Sequence, residues 1–354
     1  MADPVPFLLS LIAKPGLSGF EVPVRDLIAE KWRPLVDELS TNQLGSLQGL
    51  RRAAIKGKRP SLMIAAHMDA IGLMVKKIEN GIILITQIGG VDPRILPGQM
   101  VTIHGRKEIP GIVQIFPDRL LDAHSAGNSP EFKTLYVDTG LKEREVNKLI
   151  QVGDVISFAQ SPFEMSGGYI AGHSLDNRAS VAALTVCLEE LKNYKLDWDL
   201  WVVATSKEEI GGTGAVTSTF EIHPDIAIAI DVTFAKGPGA NDYRAFPIGK
   251  GPTIGLGANI HPFLAQHFVQ LAQQMDMPYA IEMMPTSSGT DSMMMQISAE
   301  GIPNEVIGIP IRYMHTSTEM VSVNDIQRAG RLLARFITEL TPSFLEKLYS
   351  EKTS

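Results

Sequence analysis

Ser61-Leu62-Met63-Ile64-Ala65-Ala66-His67-Met68-Asp69 decides the fold: an unbroken apolar run ends on a histidine and an acid. Continuous rather than alternating hydrophobicity marks a strand buried on both faces of a sheet. Working outward, Leu200 to Thr205, Asp225 to Ile230 and Glu305 to Ile309 have the same character. Between these runs, Arg178 to Leu191, Pro262 to Met275 and Asp325 to Leu340 carry apolar residues at helical spacing. Strands and helices that interleave in this way predict an α/β domain with a doubly wound sheet.

The stretch from Gly72 to Met165 departs from that rhythm. Val/Ile-rich pieces such as Gly81 to Thr86 and Met100 to His104 lie among closely spaced glycines and prolines, with one helix expected near Glu143 to Ile150. It reads as a small β-rich domain, residues 72–165, inserted into an α/β catalytic domain formed by residues 1–71 and 166–354. A length of 354 residues accommodates two such units.

Composition narrows the class of protein. With 44% hydrophobic and 20% charged residues the chain is globular rather than disordered. A net charge of −7 without a basic run argues against nucleic-acid binding. No stretch of apolar residues is long enough to span a bilayer. The opening Met1-Ala2-Asp3-Pro4 lacks the basic start of a secretion signal, and Lys14-Pro15-Gly16 breaks the apolar stretch that follows, so a cytoplasmic protein is expected. The single cysteine, Cys187, reads as a buried thiol on a helix, and Met293-Met294-Met295 as core packing. The terminal Glu351 to Ser354 is expected to fray.

Acids and histidines gather at the strand ends, where an open α/β sheet forms its ligand crevice. In extended chain His67 and Asp69 point to one side, so Asp69 can orient His67 while its other nitrogen faces a metal; a plain polar strand end is the competing reading. Asp176 precedes a helix and is either an N-cap or a ligand. Glu208-Glu209 follows a buried strand directly, and paired acids there require a cation or a raised pKa. Asp231 and His315 follow two further strands. Two histidines and three carboxylates, with one more carboxylate left as a base, make a mixed nitrogen and oxygen set suited to Zn²⁺ or Co²⁺ in a binuclear hydrolase.

These residues stand in motifs whose order resembles the M42 family of metallo-aminopeptidases: His67-x-Asp69, Leu175-Asp176-Asn177-Arg178, Glu208-Glu209-x-Gly211, Asp231-Val232-Thr233, Gly289-Thr290-Asp291 and Arg312-Tyr313-Met314-His315. The resemblance extends to Gly16-Leu17-Ser18-Gly19-Phe20-Glu21 and to Ile88 through Arg94, so it covers the whole chain. It implies a zinc-exopeptidase-like fold and removal of N-terminal residues from peptides with a free amine. It also implies two divalent metal ions per subunit and a homo-oligomer, either dimer or dodecamer. By the same resemblance Asp176 bridges the metals, His67 and Asp231 complete one site, Glu209 and His315 complete the other, Glu208 is the general base, and Asp69 orients His67. Lys207, His173 and Phe234 depart from the residues common at their positions, which bears on side-chain preference. An endoglucanase-type glycoside hydrolase and a catalytically silent scaffold are the rival readings. The first would leave the histidines without a purpose, and the second would have lost Glu208 or a ligand. Ser287-Ser288-Gly289 is no nucleophile elbow.

Overall fold

The apolar runs form a large mixed α/β sheet whose centre is four neighbouring parallel strands, in the order Asp199–Thr205, Ser61–His67, Ile226–Phe234 and Asn304–Arg312. The computed structural model describes residues 3–55, 57, 59–120 and 128–350; the terminal segment expected to fray lies outside them. Alternate residues of the strand Ser61–His67 enter different cores. Leu62, Ile64 and Ala66 pack with the helices Val5–Ile12, Val22–Trp32, Leu175–Leu191 and Val323–Glu339. Met63 and Ala65 meet Ala215 and Met295 on the opposite face. That double coverage is why the strand carries no polar alternation.

Two central strands run further than their apolar runs. Hydrogen bonding between 226–234 and 304–312 continues from Ala227↔Asn304 to Phe234↔Ile311, so Asp231 lies within its strand rather than after it. Antiparallel strands extend the sheet on both sides, with Leu47–Arg51 beyond 199–205 and Glu319–Ser322 beyond 304–312. No described helix is long and apolar enough to cross a membrane.

The strands Gly72–Glu79, Ile82–Ile88, Met100–His104, Glu108–Ile115, Leu135–Asp138 and Val155–Phe158 close into a barrel. Its core is separate and includes Leu73, Val75, Ile83, Ile103, Val113, Val137 and Ile156. Along Glu108–Ile115 exposed and buried residues alternate, as expected of a strand with one face inward. The helix Glu143–Leu149 buries Val146 against this core. Phe163–Met165, placed with the β-rich segment from sequence, instead pairs with Tyr169–Gly172 of the large sheet; the barrel's last strand ends at Phe158.

Helix Leu175–Leu191 is enclosed on almost every side, and Cys187 is fully buried in it. Helix Val323–Glu339 lies against it at Gly330, where an added Cβ would stand 2.4 Å from the Ala183 carbonyl oxygen and 2.8 Å from Val186 Cβ. Gly330→Ala should therefore destabilise the protein by about 1–3 kcal/mol even though alanine is the better helix former. A lowered urea midpoint at unchanged m-value is the expected result; an unchanged or raised midpoint would show that the two helices can separate at no cost.

Candidate active site

Parallel strands end on the same side of a sheet, and this brings the scattered acids and histidines together. His67 is level with Thr205 on one neighbour, and the Ala65↔Ala229 pairing on the other puts Asp231 beside it two residues later. His67 Nε2 lies 3.1 Å from Asp176 Oδ1, 3.6 Å from Asp231 Oδ1 and 3.8 Å from Glu208 Oε2. The second oxygen of Asp176 faces the other histidine, with His315 Nε2 3.2 Å away, and His315 Nε2 is 3.4 Å from Glu209 Oε2. All the candidate metal ligands read from sequence thus line one cavity of about 460 Å³, with Glu208 among them.

Asp176 is not a helix cap. Its own and Asn177's backbone torsions are non-helical, no side-chain cap bond forms at the preceding Ser174, and the Asp176–Asn177 peptide bond is cis. Asn177 Nδ2 donates to the Ile230 carbonyl at 3.0 Å, tying this segment to the strand that carries Asp231. Ser174, Lys207, Tyr313 and His315 all take positive φ beside the site. Non-glycine residues in that region cost free energy and persist where surrounding contacts enforce them.

Two inner carboxylates supply such contacts. The Asp69 carboxylate stands 3.5 Å from His67 Nδ1, and the Asp69 backbone carbonyl 3.2 Å from the same nitrogen. The carboxylate also accepts from the Ser18 hydroxyl at 2.6 Å and from the backbone N–H groups of Glu208 and Glu209 at 3.0 and 3.2 Å. Asp69 therefore holds the turn bearing the acid pair as well as flanking the histidine. Glu319, which sequence reasoning missed, does the same for the other half: its oxygens accept from the backbone N–H groups of Asp176 and His315, both at 3.0 Å. Its signal was faint, one acid in a short strand beyond the motif that ends at His315.

Electrostatics divides the acids. Burial alone would raise the Asp176 carboxyl, but His315 and His67 together hold it below the usual carboxylate range. Burial would lower His67, and Asp176, Asp231, Asp69 and Glu208 outweigh it, holding the imidazolium well above its ordinary value. His315 is raised chiefly by Asp176. Burial, with neighbouring negative charge added, pushes Glu208 up to about 8 and Glu209 up to about 10, and raises Asp231 strongly. Asp291, hydrogen-bonded to the Thr205 hydroxyl, is pushed up to about 6 by burial. Glu209 Oε1 is buried with no hydrogen-bond partner among the described residues. A site with surplus buried carboxylate, an orphan carboxylate oxygen and two imidazoles within reach has the donor chemistry of a divalent cation site. His67, Asp176 and Glu209 each place a ligand atom within 4.8 Å of the other two.

The departures noted in the sequence fall around this cluster. The Lys207 ammonium donates to the Leu44 carbonyl at 3.0 Å, and Phe234 is exposed at the cavity's edge. His173 is buried between the carbonyls of Ile71 and Thr316. Glu282, also unmarked in the sequence, lines the cavity and accepts from two threonine hydroxyls.

Comparison with known proteins shows the family of the chain. A lysyl aminopeptidase of Pyrococcus furiosus is 35% identical over 338 residues, covering 94% of this chain and 96% of that one. The solved aminopeptidase APDkam598 from Desulfurococcus kamchatkensis superposes with a TM-score of 0.89 at 32% identity, over 98% and 97% of the two chains. A structure titled endoglucanase from Thermotoga maritima matches with a TM-score of 0.76 at 29% identity, over 93% and 96%. The family model described as M42 glutamyl aminopeptidase matches residues 49–332. The chain belongs to the M42 aminopeptidase family.

Proposed function

We propose that this metal-dependent aminopeptidase works with two divalent cations, Zn²⁺ or Co²⁺, and removes residues from peptides with a free N-terminus. The observation that carries the reading is Asp176, whose two oxygens face two different histidines at 3.1 and 3.2 Å. A carboxylate so placed suits a bridge, with His67 and Asp231 completing one site and Glu209 and His315 the other. When bound, such cations supply an acidified water and positive charge for a peptide carbonyl oxygen.

Glu208 is then the proton carrier. It is largely buried beside the proposed ligands, its Oε2 3.8 Å from His67 Nε2, where a carboxylate can take a proton from a water held by the cations and return it. It accepts the proton of the attacking water and delivers it to the amine nitrogen that leaves. Asp69 keeps Glu208 in reach by holding its backbone N–H. The division proposed for the chain is a catalytic domain with a doubly wound sheet and an inserted β-rich domain that serves subunit contacts, the insertion beginning at residue 72 and ending after Phe158 rather than at Met165, since Phe163–Met165 joins the large sheet. A cytoplasmic homo-oligomer, dimer or dodecamer, with no nucleic-acid or membrane partner completes the proposal.

The relative titled endoglucanase keeps a second reading in view, a glycoside hydrolase. A glycosidase carboxylate pair needs no metal, so that reading gives no role to His67 and His315. A chelator separates the two. Chelated protein should cut neither free-amine nor N-acetylated peptides, and restored Zn²⁺ or Co²⁺ should revive cleavage of the free-amine peptides alone. Cleavage of a soluble glucan that survives chelation would overturn the assignment.

Glu208→Gln should keep its metal content and lose about 10²–10⁴-fold in kcat. Metal analysis beside steady-state kinetics checks this, and near-native turnover would remove Glu208 from the role of base.

The raised carboxyls also fix the sign of a pH effect on metal-free protein. Glu208, Glu209 and Asp231 bind protons more tightly folded than unfolded, and so does His67, so the folded state holds more protons than the unfolded one from about pH 4.5 upward. Their stabilising contribution is complete below the unfolded pKa values and is lost as the pH climbs through the folded ones. Chelated protein should thus show a Tm that falls between pH 5.5 and 8.5, and added Zn²⁺ should restore it with release of protons. A chelated Tm that rises across this range would contradict the electrostatic account.

A further inference from the structure

Glu282 shares the cavity with the His67–Asp176 cluster but belongs to neither proposed metal site. It projects from the strand Ala280–Met284, and its oxygens accept from the Thr233 hydroxyl at 2.7 Å and the Thr253 hydroxyl at 2.6 Å. Thr233 lies two residues beyond Asp231 on one strand, so both side chains emerge on the same face about 7 Å apart. Glu282 is therefore joined through Thr233 to the face of the strand that carries Asp231, in the same cavity.

The backbone makes room for it. Gly308 is the residue that pairs with Asp231 and with Thr253 on its two neighbours. A Cβ there would stand 2.1 Å from Thr253 Oγ1 and 3.0 Å from Glu282 Oε2, so the strand 304–312 admits this carboxylate and its threonine only where it has no side chain.

Among the described residues no positive group pairs with Glu282. Its two donors are neutral hydroxyls, and burial raises its proton affinity while only those hydroxyls lower it. Two divalent cations would offset the four carboxylates Asp176, Glu208, Glu209 and Asp231, which leaves Glu282 as the one negative charge of the cavity still without a partner among the described residues. Val306 and Met284 give the same cavity an apolar wall, suited to a methylene stem.

We propose that Glu282 is the specificity residue of this aminopeptidase. It receives the ammonium or guanidinium of a lysine or arginine at the substrate's N-terminus, with the stem laid along Val306 and Met284. The assignment rests on the aminopeptidase reading and is separable from it by experiment. Metal-loaded full-length protein is assayed with lysyl, arginyl, norleucyl and glutamyl p-nitroanilides, norleucine having lysine's stem without its charge. The wild type should prefer the lysyl over the norleucyl substrate by at least about 10-fold in kcat/KM. In Glu282→Gln the lysyl value should fall about 10- to 100-fold further than the norleucyl one, with the loss mostly in KM. Norleucyl turnover without a lysyl preference would overturn the role of Glu282 and leave the aminopeptidase standing. Equal losses on both substrates would overturn it too, by placing the carboxylate on the common α-amino group. If the variant does not fold, calorimetry on the wild type decides: free L-lysine should bind more tightly than L-norleucine, and equal affinity defeats the proposal. Absence of cleavage of all four substrates by the wild type would instead remove the reading on which it rests.

Discussion

Repulsion among buried carboxylates is the constraint around which the site is arranged. Asp176, Glu208, Glu209 and Asp231 crowd the ends of the central strands, where His67 and His315 are the cationic side chains within 4 Å of them among the described residues. Like charges so close and so poorly solvated cannot all ionise. The acids separate accordingly: Asp176, touched by both histidines, keeps its charge, while Glu208, Glu209 and Asp231 are driven toward the protonated form. Divalent cations would reverse that balance by giving each carboxylate a partner.

Beneath this outer layer lies an inner one whose carboxyls are tied to backbone N–H groups, although burial and Asp176 still raise Glu319 well above the usual carboxylate range. Asp69 and Glu319 each receive two backbone N–H groups from the segments that bear the outer acids and histidines. Arg178, fully buried, is the cation that both of them feel. Its guanidinium also donates to the carbonyls of Leu11, Lys14, Gly16 and Met68 at 2.6–3.3 Å. An arginine that satisfies four carbonyls fixes the amino-terminal loop, the end of the strand 61–67 and the start of the helix 175–191 as one frame. Outer ligands can then be aimed at a cation because inner carboxyls hold their backbones.

What was legible in the sequence follows from the same layering. Outer acids end apolar runs, so His67, Glu208-Glu209, Asp231 and His315 stand out where the hydrophobicity stops. Inner groups leave no such mark. Glu319 sits in a four-residue strand with no apolar run ahead of it, and Arg178 looks like an ordinary charged residue opening a helix. Glu282 lies in a strand of mixed exposure paired in parallel to Thr253–Gly257, and its meaning depends on Thr233, Thr253 and Gly308, far from it in the chain. Periodicity likewise identified Gly72 to Met165 as β-rich but could not place Phe163–Met165, because a three-residue strand is assigned to a sheet by its partner rather than by its own pattern.

The barrel is not a passive attachment to this frame. Gly90, in the loop that follows strand Ile82–Ile88, approaches so closely that a Cβ there would stand 2.9 Å from His315 Nδ1. His173 binds the passage between the two sheets at several points. Its Nε2 faces the Ile71 carbonyl at 3.2 Å, where the chain enters the barrel, and its Nδ1 faces the Thr316 carbonyl at 3.3 Å, beside His315. Its ring meets Phe158, where the chain leaves the barrel, edge-on at 4.9 Å. Burial pushes this imidazole down to about 4, so near neutrality it is uncharged and has one N–H for two carbonyls. The ring therefore joins the barrel's entry, its exit and the His315 loop by packing and by one donated hydrogen bond. The barrel meets the His315 loop through Gly90 on one side and through His173 and the Thr316 carbonyl on the other. The β-rich segment thus helps to set the position of a proposed metal ligand that lies outside its own sequence.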